Sequence, residues 1–386
     1  MSSRPPTRVT STSRGVISTG GADPPCLQGF RVVALGQRPR GATLFRAGGS
    51  DNYGSVPRDS FNREIDYLRM SVIDACNLRC VYCMPLEGIR FLPKDELLTP
   101  AEFETVARAA VSVGFRKFRL TGGEPTLRLD LVEIVERLAR VPGVEGLALT
   151  TNALLLTELA PSLKRAGLNR INVHLDSLDP ATVERQMRWG SFEKIWRGIV
   201  AAEDAGLTPI KLNSVVTAGY NESDVVELAR LTVERDWHVR FIELMPLGGG
   251  ECATLSMKRY VSNIETRRRI ESALGPLAEL PSENLADESR NYQLAGARGV
   301  IGFISPVSEP YCGTCNRMRL TADGKFHLCL LNDDELDVRK ALRSNSSDVI
   351  ADVARILKRA VQLKPTGHHL LEGRSTQDRS MYQIGG

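Results

Sequence analysis

From residue 65 onwards the sequence predicts an α/β fold. Strand-like and helix-like segments alternate, and alternation at these lengths implies a parallel sheet with right-handed crossovers. About six repeats are present, fewer than the eight of a complete barrel, which leaves an open sheet or a partial barrel. In either case chemistry gathers beyond the carboxyl ends of the strands. The conspicuous residues fall there: a cysteine triplet, a TGGEP turn (Thr121–Pro125), Thr150, His174, Asp176, Lys211 and Met245 all lie within or just after a strand-like run.

The elements follow in order. Ile65–Ile73 (IDYLRMSVI) is an apolar, β-branched run that ends at the cysteine triplet. Thr99-Pro100-Ala101-Glu102 is a capping box with proline at the first helical position. Phe103, Val106, Ala107, Ala110 and Val111 then recur at helical spacing, and Gly114 stops the helix. Strands are expected at Lys117–Leu120, Gly146–Thr151, Asn169–Leu175, Ile210–Val216 and Val239–Leu244. Helices are expected at Leu129–Leu138, Leu154–Ala166, Thr182–Met187, Phe192–Ala205 and Asp224–Glu234. After Met245-Pro246 the pattern changes. A glycine-rich loop leads to one helix over Ser256–Leu274, and Ser282–Ser289 is a polar linker. Short strands follow at Tyr292–Leu294 and Val300–Ile304, then a hairpin, Arg317–Thr321 and Lys325–Leu330, around Ala322-Asp323-Gly324. Asp348–Val361 reads as an amphipathic helix, followed by a polar tail ending Gly385-Gly386.

Composition bounds the function class. The 386 residues are 42% hydrophobic and 25% charged, with no apolar run near the length of a membrane span. The net charge of +4 (50 basic against 46 acidic) argues for neither a nucleic acid nor a membrane partner. The basic balance is uneven, however. The first fifty or so residues carry Arg4, Arg8, Arg14, Arg31, Arg38, Arg40 and Arg46 against Asp23, among many Ser, Thr, Gly and Pro. An arginine-rich, acid-poor leader of this kind predicts an organellar transit peptide over residues 1–60, with the mitochondrial matrix as destination and cleavage between Gly41 and Asn62.

Six of the eight cysteines form two trios, a pattern of metal binding in a reducing compartment. Cys26 and Cys252 are left without a role. Cys76, Cys80 and Cys83 (C-x3-C-x2-C) supply three thiolates and no fourth. Held that way, a four-iron cluster keeps one iron open to a guest. Structural zinc prefers four closed ligands, which this spacing suits poorly. Cys312, Cys315 and Cys329 bracket the hairpin. Zinc completed by His327 or another residue, and a second cluster with an open iron, both fit this trio. In TGGEP the glycines permit close backbone approach to a ligand, and Glu124 is placed to accept from an ammonium. Arg317 and Arg319 share one face of a strand beside Cys315. Arg69, Arg119 and Lys211 also sit within apolar strands, where charge is unfavourable unless paired or liganding. Together these cations predict an anionic substrate such as a nucleoside triphosphate. His368 and His369 are expected at the surface.

From about Asp66 to Gly386 the chain resembles the GTP 3′,8-cyclase family of radical S-adenosylmethionine (SAM) enzymes, which act first in molybdenum cofactor biosynthesis. The resemblance rests on the two cysteine trios, TGGEP and the Gly-Gly terminus. It implies an incomplete (β/α)6 barrel over residues 61–250, a cluster- and GTP-binding extension over 251–373 and a tail over 374–386. It further implies two 4Fe–4S clusters, with Cys76, Cys80 and Cys83 holding the one that chelates SAM. Cys312, Cys315 and Cys329 would hold the one that meets guanine. Tyr82, Gly123, His174 and Met245 match SAM contacts. Arg69, Arg119, Thr150, Lys211, Arg317, Met318 and Arg319 match GTP contacts. Arg317, Arg319, Gly385 and Gly386 match residues that assist cyclisation.

The chemistry so implied is reductive cleavage of SAM to a 5′-deoxyadenosyl radical, which removes the hydrogen at ribose C3′ of GTP before the new radical attacks guanine C8. An external electron donor and a downstream pyranopterin monophosphate synthase are the implied partners, with a homodimer left open. Two positions depart from the family pattern: His174 stands where serine is common, and Ala153 follows Thr-Thr-Asn where glycine is usual. Alternatives from the residues themselves are a peptide-modifying radical SAM enzyme and a non-catalytic iron–sulfur or zinc scaffold.

Overall fold

The computed structural model describes residues 54–386 apart from 249, 283–285, 373 and 386. The arginine-rich leader, Cys26 and Gly386 therefore lie outside the described residues. All described residues belong to one compact unit.

The first half alternates as expected. It runs β1 (Tyr67–Ser71), α1 (Pro100–Ser112), β2 (Lys117–Thr121), α2 (Leu131–Ala139), β3 (Gly146–Thr151) and α3 (Leu156–Arg165). Next come β4 (Arg170–His174), α4 (Pro180–Met187), α5 (Phe192–Asp204), β5 (Lys211–Val216), α6 (Val225–Glu234) and β6 (His238–Glu243). Local signals set these boundaries. Thr99 and Glu102 form the reciprocal capping box on α1, and Asp179 and Ser191 cap α4 and α5 through their side chains. Gly114, at φ +105°, ends the α1 segment so close to the backbone of Ser55 and Val56 that a Cβ would collide with them.

The second half departs from expectation in instructive places. It contains α7 (Gly250–Lys258), α8 (Asn263–Leu274), β7 (Leu277–Glu279), β8 (Arg290–Leu294), β9 (Val300–Ile304), β10 (Arg317–Leu320), β11 (Lys325–His327) and β12 (Glu335–Asp337). Then follow α9 (Arg339–Leu342), α10 (Val349–Gln362) and α11 (Met381–Ile384). The helix expected over Ser256–Leu274 is two helices. Tyr260 bridges to Thr217, and Ser262 accepts from the Glu265 amide to start α8 afresh. The tail is not featureless, because Ser380 and Gln383 form a capping box that starts α11. The three-residue strands β7 and β12 carry too little pattern to be read from sequence.

Among the described residues twelve strands form one sheet in the order β12-β11-β10-β1-β2-β3-β4-β5-β6-β9-β8-β7. From β10 through β1–β6 to β9 every pairing is parallel, and both ends are finished by antiparallel strands. The sheet thus remains an incomplete barrel, and the carboxy-terminal extension widens it at both edges, with β10 beside β1 and β9 beside β6. The change near residue 250 is one of chemistry within a continuous sheet. Alternation along each strand sorts the side chains. Leu68, Met70, Phe118, Leu120, Ile171, Val173 and Phe241 are buried in the core, where α1, α2 and α10 pack together. Each such fully buried side chain contributes roughly 1.5–3 kcal/mol. The alternate residues face the barrel interior and are mostly polar.

Candidate active site

Seven cysteines lie among the described residues and all are free thiols. One cavity at the carboxyl ends of the strands is lined by both trios, Cys76/Cys80/Cys83 and Cys312/Cys315/Cys329. It is also lined by Tyr82, Gly123, His174 and Met245, and by Arg69, Arg119, Thr150, Arg317 and Arg319.

The loop carrying the first trio is tied down on all sides. The Val81 amide donates to Gln186 O at 3.0 Å, and Asn152 Nδ2 donates to Asn77 Oδ1 at 2.7 Å. Arg79 stacks on the rings of Trp189 and Phe91, 4.8 and 5.6 Å from their centroids. Gly122 and Gly123 line the cavity and also have a packing role. A Cβ on either would lie within 2.3 Å of the carbonyl oxygen of Ile73 or Ala75, so these glycines let β2 close onto the segment that delivers the cysteines. Glu124 also lines the cavity and is held in place by its own hydrogen bonds. Buried, it takes hydrogen bonds from Thr126 N, Thr151 Oγ1 at 2.7 Å and Asn152 N at 2.7 Å. Tyr82 Oη lies 2.7 Å from His174 Nε2 and donates to Asp176 Oδ2 at 2.8 Å. Burial acts to lower the His174 pKa, but the Asp176 carboxylate holds it above its ordinary value. Burial pushes the Cys76 thiol up to about 11 and raises Cys80 and Cys83 as well.

The second trio sits in a different field. Arg63 donates to the carbonyls of Cys312 and Thr366 at 2.8 Å each and to Pro365 O at 2.6 Å, clamping the trio's loop to the segment after α10. Lys364 is buried beside it and donates to Leu328 O at 2.7 Å. Burial alone would raise the Cys315 thiol, but Lys364 and Arg317 bring it down to about 6. His327 does not line the cavity. It is buried, with Nδ1 3.2 Å from Glu335 Oε1, so it is not placed as a fourth zinc ligand. His368, expected at the surface, does line the cavity, with Nε2 2.9 Å from Pro306 O.

The arginines are a consequence of strand register. Arg319, Arg69 and Arg119 are direct partners across β10, β1 and β2, and so form one level row of guanidinium groups on the inward face. Arg317 pairs with Tyr67 one step below them. All four are at most 7% exposed. Arg69 Nε, Arg119 Nε, Arg317 Nη2, Arg319 Nε and Thr150 Oγ1 are buried without a partner among the described residues. Unmatched donors of this kind are rare in folded proteins, and here they form a surface suited to a polyanion. Glu288 meets the row: its carboxylate pairs with Arg69, with Arg317 Nη1 at 3.0 Å and with Arg119 Nη1 at 3.8 Å. Although burial opposes ionisation, Arg69, Arg317 and Arg119 hold this carboxyl well below the usual range.

Three expected residues, Met318, Lys211 and Gly385, are not part of the cavity lining. Met318 is fully buried in the core, because alternation along β10 turns it away from Arg317 and Arg319, so its side chain is not a substrate contact. Lys211, at the amino end of β5, is outside the cavity lining. Burial and then Arg240, Arg170 and Arg119 lower its pKa to about 8. Gly385 is buried at φ +83°, where a Cβ would lie 2.4 Å from Thr121 Cγ2 at the end of β2, so the tail does reach the mouth of the barrel. Arg240, Glu288, Lys364 and Tyr311 escaped sequence reasoning. Arg240 is 5% exposed on the inward face of β6 and donates to Asn213 Oδ1 at 2.9 Å. A charge inside the apolar run VRFI was the signal that would have found it.

The chemistry of the donor sets fits the groups implied by the sequence: each trio supplies three free thiols to the cavity, and arginines with unmatched guanidinium donors line the same cavity. Comparison with known proteins agrees. Residues 70–232 match the Radical SAM superfamily and residues 237–370 match Molybdenum Cofactor Synthesis C. The chain is 46% identical to the GTP 3′,8-cyclase of Pelotomaculum thermopropionicum and 45% identical to that of Moorella thermoacetica. Each match covers 85% of this chain and 100% of the relative. In fold it is similar to Streptococcus suis SuiB bound to S-adenosylmethionine, with a TM-score of 0.54 at 13% identity over 80% of this chain and 73% of that one. The chain belongs to the GTP 3′,8-cyclase family of radical SAM proteins.

Proposed function

We propose that this chain is a radical SAM lyase that converts GTP to (8S)-3′,8-cyclo-7,8-dihydroguanosine 5′-triphosphate in the first step of molybdenum cofactor biosynthesis. The observation that carries this reading is the level row of Arg319, Arg69 and Arg119, with Arg317 below it, facing a cavity that both cysteine trios line. Guanidinium groups bind phosphate oxygens bidentately. The four arginines hold the triphosphate and so fix the ribose relative to the first trio. Thr150 offers a hydroxyl without a protein partner on the same wall.

When bound on Cys76, Cys80 and Cys83, a 4Fe–4S cluster with SAM supplies radical chemistry through one-electron reduction. Tyr82 is fixed by His174 and Asp176 on the wall of that subsite, with Gly123 and Met245 completing it. Cys312, Cys315 and Cys329, on the same cavity, would hold a second 4Fe–4S cluster, to which the guanine end of the nucleotide is assigned. Gly385 lies against Thr121, which lines the cavity, and the terminal pair Gly385-Gly386 is assigned to assist cyclisation. Orientation and exclusion of quenching groups are the protein's share of the work.

Composition of the leader supports a mitochondrial matrix location. Import of residues 1–60 fused to a fluorescent protein tests it, and a diffuse cytosolic signal would contradict it. An external electron donor and a downstream pyranopterin monophosphate synthase complete the pathway context. The activity test is anaerobic incubation of reconstituted enzyme with GTP, SAM and dithionite. The cyclised triphosphate should appear together with methionine and 5′-deoxyadenosine. SAM cleavage without GTP consumption, or with a peptide as the altered substrate, would sink the assignment.

A further inference from the structure

Five buried guanidinium groups, Arg69, Arg119, Arg240, Arg317 and Arg319, share the inward face of the sheet. Left to themselves they repel one another at close range in a poorly solvated site. Among the described residues the carboxylate that meets them is Glu288, from the connection between β7 and β8. The way it meets them is specific. One oxygen binds Arg69 Nη2 and Arg317 Nη1, and the other approaches Arg119 Nη1. These donors point into the cavity, and a phosphate using them would need the position that the carboxylate holds. The match is also incomplete, since one guanidinium nitrogen on each of Arg69, Arg119, Arg317 and Arg319 stays unpartnered. One carboxylate has two oxygens and one charge, too few for a row that presents four guanidinium groups.

Resting on the reading of this row as a triphosphate site, we propose that Glu288 is an internal anion that occupies the site when no nucleotide is bound and leaves it when one binds. Two features make departure feasible. Glu288 lies outside the regular strands, in a connection rather than in the sheet, and its side chain remains 15% exposed at the cavity. An incoming triphosphate supplies more negative charge and more acceptor oxygens than the carboxylate, and its repulsion acts to expel Glu288. While it stays, Glu288 offsets the mutual repulsion of the arginines and lowers the apparent affinity for anions by the fraction of molecules in which the site is filled.

The test uses full-length, anaerobically reconstituted protein with GTP and with inorganic tripolyphosphate as probes. Glu288→Gln should bind both at least about tenfold more tightly than the wild type, the gain expected when a largely filled site is vacated. Removing a charge strengthens anion binding even without displacement, so a second measurement on the wild type is decisive. Hydrogen–deuterium exchange over residues 286–290 should rise when tripolyphosphate saturates the protein, because the Glu288 tether is released. Unchanged or slower exchange would overturn the proposal, as would weaker binding by Glu288→Gln, which would make the carboxylate a substrate contact. If Glu288→Gln does not fold, the exchange measurement decides alone. Absence of binding of either probe to wild type and variant alike would instead refute the triphosphate reading of the arginine row, and the proposal with it.

Discussion

The two cysteine trios offer the same sulfur ligands to the same cavity, yet their surroundings differ in sign. Around Cys76, Cys80 and Cys83 the charged neighbours are chiefly acidic, Glu124 and Asp176, with Arg79 the nearby cation. Around Cys315 and Cys329 they are cationic: Lys364, Arg317 and Arg319. SAM carries a sulfonium and an ammonium, whereas GTP carries a polyphosphate. On the proposed assignment of SAM to the first trio and GTP to the second, the class of guest follows the charges behind the sulfurs, since the donor set is common to both.

The sharpest way to break this comparison is to remove one sulfur from each side. Cys80→Ser should abolish SAM cleavage and GTP turnover together. Cys315→Ser should abolish cyclisation while leaving SAM binding intact. Both losses should exceed the roughly 10–100-fold typical of residues that only orient a ligand. Identical effects of the two variants on SAM binding, read by equilibrium dialysis, would erase the distinction. Next in size, Arg317→Ala should weaken GTP by about 2 kcal/mol or more, as for truncation of one partner in a buried charge pair. SAM affinity should not change, and a parallel loss of both would assign Arg317 a folding role.

Gly385→Ala probes the tail against the end of β2. At φ +83° with Thr121 Cγ2 2.4 Å from the new Cβ, the substitution introduces strain of roughly 1–2 kcal/mol. Displacement of the tail should lower turnover about tenfold with little change in GTP affinity, as steady-state and binding measurements together will show. Smallest is Ala153→Gly on the first-trio side. Ala153 is buried at φ +65°, so glycine should relieve strain and raise stability by up to about 1 kcal/mol in a denaturant titration. A loss of stability would show that the Ala153 methyl is worth more to packing than its backbone strain.

What could be read from the sequence follows from how local each signal is. The cysteine trios, the Thr99 capping box and the strand ends are written in contiguous residues. Arg69 and Arg119 were legible because a charge inside an apolar strand demands a partner, and the same argument applied to Arg240 would have added it. Their assembly into a row depends on register between β10, β1 and β2, which links residues some 250 positions apart in sequence and has no local trace. Met318 shows the converse: it sits between two arginines in sequence, yet strand alternation sends it to the core. Glu288 was hidden within a polar linker, where it is one of three acids, with Glu283 and Asp287, and none carries a periodic signal. The break between α7 and α8 depends on Ser262 as a cap, a cue overridden by the helical pattern on either side.

The most direct test of the charge-sorting account is magnetic resonance of the second trio alone. A Cys76/Cys80/Cys83→Ala protein, reconstituted anaerobically and reduced, should retain one cluster. Its spectrum should change, with nitrogen couplings appearing, when 15N-labelled GTP is added, and should be indifferent to SAM. A spectrum that responds to SAM, or that ignores GTP, would contradict the account.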